Sequence, residues 1–142
     1  MQVFCPYASP LATAQCLDKK RLNRQIQEAK VILNAINGKG KGWFNHPVTK
    51  MYRNHSEWLE NYRYCLESYN CGFLRVSKEY NKVAMPLTPP FLTEEFCNQH
   101  KRRLYTKNPE YYEEFAEYGT SEENWYYIEG EIVKYINGKK IE

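Results

Sequence analysis

RLNRQIQEAKVILNAING, residues 21–38, decides the fold. Leu22, Ile26, Ala29, Leu33 and Ile36 recur at helical spacing and predict one buried helix face. The opposite side carries Arg21, Arg24, Gln25 and Glu28, about one turn apart and so on a shared face. Asn37 and Gly38 make the stop. Upstream, Ser9 followed by Pro10 is a start signal, with Ser as N-cap and Pro at the first helical position.

The same stretch sits in the most basic part of the chain. From Lys19 to Arg53 there are nine Lys or Arg residues and one acid, Glu28. Asp18 is the one aspartate in the sequence. A cationic field of this density suits a polyanion, above all a nucleic-acid backbone. An acid held inside it must pair with the arginines or do chemistry. The formal net charge of +3 hides this pattern, because residues 110–131 carry eight glutamates and no Lys or Arg. Charge runs also form on plainly solvated helix faces, and that reading competes for both segments.

Working outward, Gly38 to Gly42 is a basic glycine loop carrying Lys39 and Lys41. It serves equally as a connector or as a backbone approach to phosphate. A second helix is expected from about Pro47 to Cys71, with Met51, Trp58, Tyr62, Cys65, Leu66 and Tyr69 as its apolar stripe and Gly72 as its stop. Residues 81–92 contain Pro86, Pro89 and Pro90 and read as an extended connection. Thr93 caps a third helix, with Glu94 and Glu95 in its first turn and the cations Lys101, Arg102, Arg103 and Lys107 further along. Asn108 and Pro109 start a short aromatic helix through Tyr111, Tyr112, Phe115 and Tyr118. Asn137-Gly138 is a hairpin signal. The expected fold is mostly α: one compact domain over residues 1–142, a bundle of three to four helices with long connections and a short C-terminal hairpin.

The 142 residues suffice for one real core. Five cysteines without a C-x-x-C spacing argue against a disulfide framework and a zinc site. No signal peptide and no 18-residue apolar run is present, so an intracellular location is expected. Nucleotide-binding loops, H-E-x-x-H and G-x-S-x-G are absent. With one Asp, a multi-carboxylate magnesium site is poorly supplied, and no metal or other cofactor is expected. What remains is chemistry by an amine and one carboxylic acid. A neutral amine can attack C1′ of a deoxynucleotide, expel the base and form a Schiff base. The α-amine suits this, since its free pKa is about 7.7–8.0 against about 10.4 for Lys. Lys19 and Lys20 are alternative amines. Glu28 can stabilise sugar charge and move protons.

These residues resemble the pyrimidine-dimer DNA glycosylases of the phage endonuclease V type. Leu17, Asp18, Leu22 and Glu28 are similar to that family's first-helix motif. His46, Pro47, Val48, Thr49, Met51 and Tyr52, then Glu57, Trp58, Leu59, Cys65 and Leu66, are similar to its second helix. Trp125, Tyr126 and Tyr127 resemble its aromatic C-terminal segment. Small cellular relatives share Phe4, Pro6 and Tyr7, the block from Leu17 to Leu22, Asn45 to Pro47, and His100, Leu104, Asn108, Pro109 and Tyr112.

The resemblance implies a DNA-repair glycosylase with abasic-site lyase activity, acting as a monomer on damaged or modified double-stranded DNA. It places such a protein in the cytoplasm of a bacterial or phage-infected cell. It makes Glu28 the catalytic acid and the α-amine of residue 1 the nucleophile. Gln2 is a large second residue that blocks Met removal, so Met1 would supply the amine. Expected DNA contacts are Lys20, Arg21, Arg24, Gln25, Lys39, Lys41, His46, Arg102, Arg103 and Trp125. A second reading is a DNA-binding or phage-associated protein without catalysis on the same fold. A third is a protein-interaction module using residues 110–127.

Overall fold

The computed structural model describes residues 2–39, 41–72 and 87–141. Helix α1 spans Pro10–Cys16, and Ser9 Oγ accepts from the Ala12 amide at its start. It does not run on into the amphipathic segment. Leu17 and Asp18 are extended, and α2 covers Lys19–Ile36. The break is held from outside: the Asp18 amide donates to the Tyr112 hydroxyl, and that hydroxyl donates to Asp18 Oδ1. At its far end α2 closes on Gly38 in the left-handed region, with the Lys39 amide on the Asn34 carbonyl.

The expected second helix is two. Helix α3 spans Pro47–Tyr52 and α4 spans Ser56–Asn70. The apolar repeat carries through the break, so periodicity alone does not reveal it. The mark is the run Arg53-Asn54-His55-Ser56, poor helix interior and good turn material. His55 sits at φ −131°, ψ 31°. The bend keeps Tyr52, Trp58 and Tyr62 in one ring ladder, with centroids 5.9 and 5.5 Å apart. It also lets α3 reach the sheet while α4 packs on α1 and α2.

Helix α5 spans Glu94–Lys107, capped by Thr93 Oγ1 on the Phe96 amide as its sequence predicts. The aromatic segment after it is a 3-10 helix over Glu113–Tyr118 packed on α5. Strands β1 (Asn124–Ile128), β2 (Glu131–Ile136) and β3 (Lys139–Ile141) form an antiparallel sheet in sequence order. The hairpin at Asn137-Gly138 is present, and a second one turns at Glu129-Gly130, with both residues of each turn at positive φ. The fold is thus mostly α with a small sheet. Of the proline-rich connection, residues 81–86 lie outside the described residues. Phe91 and Leu92 beyond it are buried in the core.

The segment from Gln2 to Cys5 runs through the interior, where every backbone polar group needs a partner. No strand supplies those partners; side chains from three helices do. Gln25 Oε1 accepts from the Phe4 amide at 2.8 Å. Tyr62 donates to the Phe4 carbonyl at 2.7 Å. His100 Nδ1 accepts from the Cys5 amide at 2.7 Å.

Candidate active site

Residues Lys20, Arg21, Arg24, Gln25 and Glu28 of α2 line one wall of a cleft of about 220 Å³. Arg103 and Lys107 of α5, with Asn124 of β1, line the other; Gln2 and Phe4 also border it. Five cations therefore surround one acid, Glu28.

Gln25 is the hub. It is 2% exposed, and all four hydrogen-bonding places of its amide are engaged. Oε1 accepts from the Phe4 amide and lies 3.1 Å from Tyr62 Oη, whose single proton it shares with the Phe4 carbonyl. Nε2 donates to the Gln2 carbonyl at 3.0 Å and to Glu28 Oε2 at 2.9 Å. One amide thus links the start of the chain to the cleft acid. Gln25 was expected to contact DNA; in the structure its amide is spent on the protein, and it positions its neighbours.

Glu28 keeps a 16% exposed side chain, and Oε1 accepts from Arg24 Nε at 3.3 Å. Arg24 is itself 73% exposed, so this pair is loose. Arg21 is held more firmly, with Nη1 3.3 Å from both Asp18 oxygens and its guanidinium 5.9 Å from the Tyr112 ring centroid. Arg103 lines the cleft but is nearly buried: Nε donates to Asn124 Oδ1 and Nη1 to the Ser121 carbonyl, each at 3.1 Å. Lys107 makes no hydrogen bond or ion pair among the described residues. Its pKa lies below the usual lysine value, through burial and then the charges of Arg103, Arg21 and Arg24.

His100 is buried, and desolvation lowers its pKa to about 3, so it is neutral. Its Nδ1 accepts from Cys5, which leaves the proton on Nε2. The Gln2 amide atom 3.4 Å from Nε2 is then best assigned as the carbonyl oxygen, which also gives the otherwise unpartnered Gln2 Oε1 its donor. His46 caps α3 through Nδ1, which accepts from the Val48 amide at 3.1 Å. Burial lowers its pKa to about 4. Its ring lies 5.7 Å from Tyr126, whose own pKa is pushed up to about 12 by burial, with smaller effects of Tyr135, Arg103 and Glu28. His46 thus sits beside the cleft rather than in its wall.

The remaining expected contacts are dispersed. Trp125 is 7% exposed, with Lys134 Nζ 4.6 Å over its ring, and serves the core. Arg102 donates to the Tyr118 carbonyl and to Gln99 Oε1, tying down the segment after α5. Lys39 is exposed at the end of α2. Lys41 opens a 3-10 turn over Lys41–Trp43; its side chain, like all of Met1, lies outside the described residues. Gln2, Lys107 and Asn124 line the cleft without having been singled out as site residues. Lys107 carried a signal, since it lies one turn beyond Arg103 on α5. Asn124 carried none.

The geometry supplies an acid, a dense cationic lining and a Gln2 carbonyl linked to the acid through Gln25. Among the described residues no group of three or more His, Cys, Asp or Glu side chains could hold a metal ion, and no helix is long and apolar enough to cross a membrane. Residues 1–67 match a family model described as pyrimidine dimer DNA glycosylase. The matched part contains the whole α2 wall with Gln2 and Phe4, while Arg103, Lys107 and Asn124 lie beyond it. No curated protein and no solved structure matches the chain.

Proposed function

From the resemblance of residues 1–67 to pyrimidine dimer DNA glycosylases, we propose that the cleft binds DNA and releases a damaged pyrimidine, then cleaves the abasic sugar as a lyase. The observation that carries this reading is the bridge from the Gln2 carbonyl through Gln25 to Glu28. Residue 1 is bonded to Gln2, so its α-carbon lies about 3.8 Å from that of Gln2. Its amine is therefore tethered close to a residue that borders the same cleft as Glu28.

The α-amine of Met1, neutral, attacks C1′ and the base leaves with the C1′–N bond electrons. Glu28 stabilises the positive charge at the sugar and takes the proton that the amine loses. The C1′–O4′ bond of the aminal so formed then opens, O4′ taking up the proton held by Glu28, to give an imine that acidifies C2′. Loss of a C2′ proton expels the 3′ phosphate, and water then hydrolyses the imine to free the amine. Nearby cations favour the neutral amine and attract the phosphates. Arg24 and Lys107 are the best suited to phosphate contact, because Arg21 and Arg103 are already held by protein partners. A base that is already poorly paired is cheapest to turn out of the duplex, which favours lesions.

Borohydride trapping on duplexes carrying a panel of damaged pyrimidines or an abasic site tests this. A covalent adduct is expected, mapped by mass to residue 1 and lost on N-terminal acetylation. Salt-sensitive DNA binding with neither base release nor adduct on any lesion would instead support the non-catalytic DNA-binding reading.

A further inference from the structure

Trp43 and Phe44 are consecutive, 38% and 43% exposed, and belong to neither the core nor the cleft lining. The other exposed aromatics among the described residues, Tyr64, Tyr69 and Tyr111, each carry a hydroxyl that water can solvate. A Trp-Phe step partly open to water presents ring surface on which a flat partner can stack.

Both rings are held from behind. The Arg53 guanidinium lies 4.5 Å from the Phe44 centroid, and its Nη2 donates to the Phe44 carbonyl at 2.6 Å. The Trp43 ring lies 5.1 Å from that of His46, which is pinned at the start of α3. Stacking on rings already fixed in place costs little further order.

A chain of ring contacts runs from the step toward the border of the cleft. His46 links Trp43 to Tyr126, two residues from the cleft residue Asn124. On α2, positions 21, 25, 28, 32 and 35 share one edge. The first three line the cleft, and the last two, Ile32 and Ala35, are fully buried in the half of the helix nearer the turn. The turn itself packs on α2. In sequence its neighbours are cationic: Lys39, Lys41, Lys50 and Arg53 flank it, and no acid occurs between Glu28 and Glu57. Apolar ring faces inside a positive field fit a polyanion that offers flat bases.

We propose that Trp43 and Phe44 form a stacking step for an unpaired base of the DNA lying in the cleft. An intact duplex offers no free base face there, whereas a gap or a flipped nucleotide does. The step thus favours sites where stacking is already broken. This deepens the DNA-cleft reading and rests on it.

Tryptophan fluorescence gives the test, because Trp58 and Trp125 are buried, 3% and 7% exposed, and Trp43 is the accessible one of the three. The full chain is titrated with an intact duplex and with the same duplex carrying a tetrahydrofuran abasic analogue, which cannot form an imine. Quenching is expected to be at least about twice as deep with the abasic duplex. Trp43→Ala, measured by anisotropy of labelled DNA, should lose about tenfold or more of the preference for that duplex, while Trp43→Phe keeps most of it. Equal quenching by both duplexes overturns the proposal, as does a Trp43→Ala,Phe44→Ala chain that keeps the preference. Loss of the enzyme reading looks different: quenching and preference persist, but the native chain gives no base release and no borohydride adduct. Absence of DNA binding at low salt removes both.

Discussion

Helix α2 carries two acids, Asp18 at its start and Glu28 in its middle, and each lies 3.3 Å from an arginine on the same helix. Their surroundings set them apart. Asp18 receives Arg21 on both oxygens, takes the Tyr112 hydroxyl, and fixes the bend between α1 and α2. Glu28 has one contact to a mostly exposed arginine, and its other oxygen accepts from Gln25. The two carboxylates are almost equally exposed, 14% and 16%, yet one is a structural joint and the other faces the cleft. Tertiary partners make the difference, not the local charge pattern.

Exchanging each acid for its amide should separate the two roles. We predict that Glu28→Gln lowers single-turnover base release by about 10²–10⁴-fold and changes unfolding free energy by less than about 1 kcal/mol. Asp18→Asn should do the reverse, costing about 1–3 kcal/mol in urea unfolding while activity stays within a few-fold. Full turnover in Glu28→Gln would falsify the assignment of the acid.

Gln25 stands between the two cases, since it serves both the fold and the cleft. Gln25→Ala strands the Phe4 amide and the Gln2 carbonyl, while the Tyr62 hydroxyl keeps its bond to the Phe4 carbonyl. A loss of about 3 kcal/mol is expected from such buried groups. The surviving folded fraction should bind DNA almost as before and turn over more slowly, because Glu28 has lost its orienting donor. If KM rises and kcat does not fall, Gln25 acts on binding rather than on the position of Glu28.

Much of this was legible in the chain. The 22, 26, 29, 33 repeat gave α2, Thr93 gave the start of α5, and Asn137-Gly138 gave a hairpin. The shared face of Arg21, Arg24, Gln25 and Glu28 is a cleft wall because helical spacing alone puts those residues together. Two features were hidden. The breaks at Leu17-Asp18 and Arg53-His55 do not disturb the apolar repeat; the first shows only in the docking of Tyr112, and the second in the turn-forming run Arg53 to Ser56 and the Tyr52–Trp58 stack. The role of Gln25 was also hidden, because its four partners come from the chain start, α2 and α4. A glutamine on a polar helix face looks the same whether it meets solvent or a buried extended segment.

Acid titration sharpens the contrast between joint and cleft by bringing in buried His100 and half-buried His46. The folded pKa of His100, about 3, lies below its ordinary value of 6.5 because burial disfavours the cation. Below pH 6.5 the unfolded chain therefore holds a proton that the folded chain refuses. The stability contribution is complete above pH 6.5 and falls as the pH drops, by up to about 1.4 kcal/mol per pH unit. His46, at about 4, acts with the same sign. Melting temperatures should fall between pH 7 and pH 5, where ordinary carboxylates are still charged. A flat profile there would mean that His100 is not held neutral in the core.

The smallest effect separates the two arginines. Arg21 is committed to Asp18 and Tyr112, while Arg24 is 73% exposed and bound by a single contact. A phosphate can draw Arg24 away at little cost but must compete for Arg21. Arg24→Ala should therefore weaken DNA binding several-fold, uniformly over sequences, and reduce the log–log salt slope by about 1. Its urea midpoint should hardly move. Arg21→Ala should instead lower the midpoint, since it strips Asp18 of its cation. Should Arg24→Ala leave the salt slope unchanged, the exposed guanidinium is a solvated surface charge, and the phosphate path must run along the α5 wall past Lys107.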